Sequence, residues 1–263
     1  QAEAGIRHFC LSRGLGDVYK RQAYYLSSVY HINNIAVLEK GWIGSGNIGR
    51  NTTIIRSNYL LPENEPFYEF SLKLWEGLEQ DTNYNSMVSQ RGVINIFHSD
   101  AQRDAAVRRG NAMLLSGADA TLLDENALRK LCPYLDFENA RFPVKGALMQ
   151  KRGGTVRHDA VAWGYARGAD KKGVDIIQNC EVEDFIIKNG VCSGVVTSKG
   201  KIHAKKVASC VAGSSSKVMS KANMRLPIES HVLQAFVSEG LKPILDNDVS
   251  YTHLRAHETG RNL

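Results

Sequence analysis

The sequence predicts a mixed α/β (α+β) fold, and three observations carry that expectation. A short apolar run, Ile35-Ala36-Val37-Leu38, follows the last turns of a helix at residues 23–30 and ends in Glu39. That is how a buried parallel strand reads between turn signals. Helical periodicity and short strand runs then alternate between residues 63 and 177. Between 181 and 211, short β runs are separated by Asn189-Gly190 and Lys199-Gly200, both hairpin signals.

Each element follows from local pattern. After the first strand comes a glycine-rich loop, GWIGSGNIGRN, over residues 41–51. Residues 63–79 read as an amphipathic helix, with Phe67, Phe70, Leu74 and Leu78 at spacings of three and four and Trp75 alongside. Residues 87–98 read as strand and 99–115 as helix, with Ser99 or Asp100 as the cap. A short helix at 125–131 is stopped by Cys132-Pro133, and 146–151 reads as strand. Residues 155–173 read as a helix with the apolar stripe Val161, Ala162, Tyr165, Ala166 and Ala169, stopped by Gly173. Val174–Ile177 is a strand, and KVASC at 206–210 is a strand running into a turn and a helix.

Composition narrows the function classes. The 263 residues are 43% hydrophobic and 23% charged, which excludes a collagenous, coiled-coil or wholly disordered chain. No stretch of about 18 apolar residues occurs, which argues against a membrane-spanning helix, and the start lacks the basic-then-apolar pattern of a secretory signal. The five scattered cysteines form no CxxC pair, so no metal site is expected, and a reducing compartment fits better than a disulfide framework. The net charge of +6 comes without any basic run, so neither nucleic acid nor membrane is expected as a partner.

Four segments carry candidate chemistry. An acid at the end of a second strand accepts hydrogen bonds from an adenosine ribose, and Glu39 is placed to do so. Its expected companion, a GxGxxG loop about 20 residues upstream, is not present. Gly14-Leu15-Gly16 is a fragment of one, with no strand pattern before it. In GSGNIGRNTTIIRSNY (44–59) the glycines allow close backbone approach, and Arg50 and Arg56 are able to grip a carboxylate. A flexible loop with two solvated arginines is the competing reading. His158 sits at a helix start, where the dipole and Arg157 disfavour the imidazolium form and favour a neutral nucleophile. A first-turn histidine with no special role is the competing reading there. The strand-to-helix turn at Ala212-Gly213 suits a phosphate or cofactor contact, or is an ordinary turn.

Taken together, AYYL, AVLEKGW, GRNTTIIRSNY, SLKLWEGL, SQRGVINI, RGGTVRHDAVAWGYAR and LPIESHVLQAFVSE cover nearly all of residues 23–239. They resemble the D-amino-acid-oxidase-like family of FAD-dependent oxidoreductases, in its branch of heterotetrameric amine oxidases. The resemblance implies an FAD-binding Rossmann-like domain with an inserted β-sheet substrate domain, truncated at both ends. It implies that Glu39 holds the ribose beside Lys40. Asn47, Arg50, Asn51, Thr52 and Ile54 follow the FAD, Val182 touches the adenine, and Ala212 and Gly213 lie near the flavin. Arg56 matches the arginine that holds the substrate carboxylate, and His158 the histidine joined covalently to FMN at the flavin 8α-methyl. The implied reaction oxidises sarcosine to glycine plus formaldehyde, or methylene-tetrahydrofolate when folate is present, with hydrogen peroxide as the second product. The implied partners are α, γ and δ subunits, in a bacterial cytoplasm.

On that resemblance, 22–85 is a partial FAD-binding domain without its first strand and glycine loop, and 86–150 a substrate-domain segment. Residues 151–225 continue the FAD-binding domain, and 226–250 begin the substrate-domain sheet. Residues 1–21 and 251–263 read as artefactual tails, because GLGDVYKRQ and SYTHLRAHET resemble translated sequencing adapter and neither end is periodic. Without them the charge falls from +6 to +3, since they carry four basic against two acidic and two against one. The family's later lysine near the flavin lies beyond the sequence, so the chain by itself is expected to be inactive. Two further readings compete: a dimethylglycine dehydrogenase-like or glycine oxidase-like relative, and a non-catalytic binding module.

Overall fold

The computed structural model describes residues 9–12, 18–59, 61–231 and 250–251, with side chains from residue 21 to 231 apart from residues 60 and 62. Predicted site residues all fall among these, whereas most of both suspect ends and residues 232–249 lie outside them. The chain divides into two compact units. One comprises Gln1–Thr52, Glu79–Ser86 and Arg157–Phe236, the other Thr53–Leu78, Met87–Val156 and Val237–Leu263.

The first unit is built on four parallel strands in the order β12-β1-β2-β8. These are β1 (Phe9–Ser12), β2 (Ile35–Leu38), β8 (Asp175–Ile177) and β12 (Val207–Ser209). All four β2 side chains are fully buried, as the unbroken apolar run requires. Helix α1 (Val18–Ser28) packs against α6 (His158–Asp170), where Tyr24 lies against Tyr165 and against Gly168. The α6 stripe read from sequence is buried throughout. A second, antiparallel sheet, β11-β10-β9, covers the parallel one. Its strands are β9 (Val182–Lys188), β10 (Val191–Thr197) and β11 (Gly200–His203), and Val195 and Ala204 pack on Ala36, Leu38 and Cys180. Asn189 and Gly190, both at positive φ, make the β9–β10 turn that their sequence demanded.

Strand β1 corrects the expectation that no first strand is present. Phe9–Ser12 pairs with both β2 and β12, so it is an interior strand, and Gly14-Leu15-Gly16 stands between it and α1 in chain order. Four residues are too few to show a period, and an interior parallel strand need not alternate.

The second unit carries the sheet β13-β4-β6-β5 and a two-stranded ladder, β3-β7. Here β4 is Val93–Phe97, β5 Thr121–Asp124, β6 Gly146–Gln150 and β13 Ser250–Tyr251. The ladder is β3 (Ile54–Ile55) with β7 (Gly154–Thr155). Residue 251 thus joins a strand, although its surroundings in sequence carry no pattern. Helix α4 (Asp100–Leu115) starts at the expected Ser99 cap, whose hydroxyl accepts from the Gln102 amide. Its Met113 packs on Leu148, while α5 (Glu125–Leu131) packs Leu128 on Ile94, Ile96 and Met149 from the other face.

Helix α2 (Glu65–Glu76), continued by α3 (Leu78–Thr82), occupies the predicted helical stretch, with only part of the predicted stripe inside: Leu78 is buried and Leu74 and Trp75 are half-buried. Phe67 and Phe70 are 69% and 62% exposed, whereas Glu65, Glu69 and Leu72 are buried. The predicted helix at 155–173 also starts later, because Gly154–Thr155 is drawn into the ladder with β3.

Candidate active site

The first unit gathers much of the predicted cofactor set at the carboxyl ends of its parallel strands. Glu39 directly follows β2 and is 1% exposed. Its amide donates to the Ile177 carbonyl at 2.9 Å and its carbonyl accepts from Cys180 at 2.8 Å, so β8 and the chain after it hold Glu39 on both sides. Its carboxylate accepts the Gly41 N–H at 3.1 Å. A cavity of about 240 Å³ opens beside it, lined by Leu38, Lys40, Cys180, Val182, Val211 and Ser214 among others. Lys40 and Val182 therefore share one cavity wall. Lys40 pairs with Glu181 at 2.7 Å, an exposed contact of little energetic weight. Ala212 and Gly213 lie between the lining residues Val211 and Ser214. Ala212 sits at φ +41, a conformation that costs an alanine roughly 1–3 kcal/mol and that recurs where backbone meets a ligand.

The loop after Glu39 is packed rather than loose. Ile43 and Ile48 are buried against Ala162 and Ala166 of α6, and the Ile43 amide donates to Gln178 at 2.8 Å. Asn47–Arg50 forms a 3-10 turn closed by Asn51, whose side chain donates to the Ile48 carbonyl at 2.7 Å. Asn47, Arg50 and Thr52 are exposed. The reading of this stretch as a flexible loop is thereby replaced by a turn pinned onto α6.

His158 is the first residue of α6, and its Nδ1 is buried without a hydrogen-bond partner. Arg157 instead pairs with Asp159 at 2.7 Å, which pushes the guanidinium up and holds the Asp159 carboxyl below its ordinary range. The positive charge set against His158 in the sequence is thus already compensated.

Ile54 and Arg56 belong to the second unit. Arg56 Nη1 donates to Asn58 Oδ1 at 2.8 Å, and the guanidinium lies 4.8 Å from the Tyr59 ring centroid. Tyr59 stacks on Tyr68 at 3.5 Å. Burial pushes the Tyr59 hydroxyl up, while Arg56 works against that shift. Asn58 is buried with its Nδ2 unpartnered. Burial, and then the charge of Arg56, push Arg109 on α4 down. Arg56 has no ion-pair partner among the described residues, an arrangement suited to an incoming carboxylate.

Sequence reasoning missed the buried polar chain beneath Arg56. Gln150 is fully buried at the end of β6. Its Oε1 accepts the Ser57 amide at 2.9 Å, and its Nε2 donates to Ser57 Oγ at 2.6 Å and Asp119 at 3.3 Å. Ser57 Oγ donates to Glu69 at 2.9 Å, Glu69 pairs with Arg152, and Arg152 reaches Glu76 at 2.9 Å. The available signal was a glutamine closing the apolar run GALMQ and acids at 65, 69 and 76, on one face of a helix.

A family model described as FAD dependent oxidoreductase matches residues 22–262. The chain belongs to the FAD-dependent oxidoreductase family. Within this oxidoreductase family it is 69% identical over 229 residues to the sarcosine oxidase subunit beta of Rhizobium meliloti, which covers 87% of the chain and 55% of the relative. It is 46% identical to the sarcosine oxidase subunit beta of an Arthrobacter species, covering 89% and 58%. The chain thus spans little more than half the length of these relatives. Among solved structures, an L-proline dehydrogenase from P. horikoshii aligns over 83% of the chain and 56% of its own, with a TM-score of 0.76 and 22% identity. A glycine oxidase from Bacillus cereus aligns over 81% and 57%, with a TM-score of 0.68 and 23% identity. Both show the same mixed α/β oxidoreductase fold. No helix among the described residues is long and apolar enough to cross a membrane.

Proposed function

We propose that the chain is part of the β subunit of a flavin-dependent amine oxidase acting on sarcosine. The observation that carries this reading is the 69% identity with a sarcosine oxidase subunit beta over 229 residues. The products are glycine plus formaldehyde, or methylene-tetrahydrofolate where folate is bound, with hydrogen peroxide. The whole protein works with α, γ and δ subunits in a bacterial cytoplasm.

On this reading the first unit is the FAD-binding part and the second a segment of the substrate domain. The residues fit an FAD. Glu39 presents a buried carboxylate at the end of β2, suited to ribose hydroxyls, and the adjoining cavity offers Val182 as an apolar wall for the adenine. Lys40, Asn47, Arg50, Asn51 and Thr52 flank the cofactor, and Ala212 and Gly213 bring bare backbone close to it. His158 fits a covalent FMN, because its Nδ1 is buried with no protein group to satisfy. A bound flavin supplies the two-electron acceptor for a C–H bond beside an amine nitrogen. Arg56 holds the substrate carboxylate and so orients that bond. Glycine oxidase-like and dimethylglycine dehydrogenase-like chemistry remain the competing activities, and a covalent second flavin separates them from this one.

The deciding measurement is flavin fluorescence on a denaturing gel of the full-length protein made with its partner subunits. A protein-bound signal is expected in the native protein and none in His158→Ala. A signal that survives the substitution rules out His158 as the attachment point.

A further inference from the structure

We infer that Gln150 is a positioning residue for Arg56, acting through the backbone of Ser57; this rests on the reading of Arg56 as the carboxylate-holding arginine. Arg56 sits between two anchors. On one side, Ile54 and Ile55 pair with Thr155 and Gly154, where a side chain in place of Gly154 would collide with the Ser89 carbonyl. On the other, Gln150 grips Ser57 at both its amide and its hydroxyl. A residue pinned on both sides has little backbone freedom, so the direction in which its side chain leaves the chain is set.

Chemistry fixes which way the Gln150 amide faces. Its oxygen meets an N–H, and its two N–H groups meet the Ser57 hydroxyl and the Asp119 carboxylate. Ser57 then passes its own proton toward Glu69, which is already tied to Arg152. Each of these Gln150 and Ser57 donors has an acceptor, so a flipped amide would set N–H against N–H and oxygen against carboxylate. Ser57, Gln150 and Glu69 are all buried, so water is poorly placed to replace a lost bond. Gln150, Ser57 and Glu69 are assigned no contact with the substrate itself. Their effect is to hold the peptide that carries Arg56, and hence the angle at which a guanidinium meets a carboxylate in a paired contact.

The test is a double-mutant cycle on the flavin-loaded full-length protein with its partner subunits, using acetate as the carboxylate probe and saturation-transfer NMR as the readout. Gln150→Leu is expected to weaken acetate binding about tenfold and Ser57→Ala about threefold, in keeping with the loss of an aligned charge-assisted contact. In an Arg56→Gln background, Gln150→Leu is expected to change acetate affinity less than about twofold. In turnover, KM for sarcosine should rise with the acetate constant while kcat moves less. Equal losses in both backgrounds, or no loss with Arg56 intact, overturn the positioning role and leave the reading of Arg56 standing. An Arg56→Gln protein that binds acetate normally overturns both. Should Gln150→Leu fail to fold, the same cycle with Ser57→Ala decides, and an unchanged acetate constant there sinks the inference.

Discussion

Helix α6 in the first unit buries Val161, Ala162, Tyr165, Ala166 and Ala169, while helix α2 in the second buries Glu65 and Glu69 and exposes Phe67 and Phe70. Both helices have an apolar stripe at helical spacing. In α6 the inner face meets mostly rings and apolar side chains, Tyr24, Tyr84 and the loop isoleucines, with the Ser86 hydroxyl beside Gly164. In α2 the inner face meets Ser57 and Arg152; Glu69 accepts from both, and a phenylalanine at that position would take the acceptor from the Ser57 hydroxyl and leave Arg152 with Glu76 alone. For Glu69 an unpartnered buried ion would cost more than one exposed aromatic side chain loses; Glu65, buried on the same face, has no hydrogen-bond partner for either carboxylate oxygen among the described residues. Periodicity locates a helix, and the partner decides which face turns inward.

Four measurements bear on that contrast, from the largest expected effect to the smallest. Glu69→Leu places an apolar side chain on the inner face of α2 and strips Ser57 and Arg152 of an acceptor. It should destabilise the chain by about 2–3 kcal/mol, read as a lowered urea midpoint, and a neutral result would mean the network is not what seats α2. In α6, Gly168→Ala brings a methyl group within 2.8–2.9 Å of the Tyr24 ring. The overpacking should outweigh the better helix propensity and cost about 1–2 kcal/mol in the same assay.

Acid should weaken both units, through Glu76 among other carboxylates in the second and Asp159 in the first. Arg152, by hydrogen bonding, holds Glu76 below its reference value of 4.5, and Arg157 likewise holds Asp159 below 3.8. Both folded-state values are depressed. The stability they contribute is therefore complete above the unfolded-state values and drains away as pH falls through the folded ones. Urea midpoints that stay flat from neutrality down to about pH 3 would contradict this sign. The smallest effect belongs to the exposed face of α2: Phe70→Ser should change stability by no more than about 0.5 kcal/mol. A larger loss would show that Phe70 is covered in solution.

What was legible in the sequence was whatever is decided within one or two turns of chain. Strand β2 was readable because four apolar residues end in an acid, α4 because Ser99 caps it, and the β9–β10 turn because Asn189-Gly190 tolerates positive φ. Glu39, Lys40 and Val182 were found by resemblance, and the fold brings Lys40 and Val182 to one cavity, next in chain to Glu39. The contact between Gln150 and Ser57 spans 93 residues, and no local pattern encodes a bond of that reach. Strand β1 was missed for a related reason: its four residues become a strand only through neighbours at 35–38 and 207–209.

The interior position of β1 bears on how the protein should be handled at the bench. Trimming the first twelve residues as dispensable would leave the facing edges of β2 and β12 unpaired in the middle of a parallel sheet. Open edges of that kind recruit strands from other molecules. The shortened polypeptide should then be lost to insoluble aggregate during expression rather than recovered as a soluble protein with a lower melting temperature.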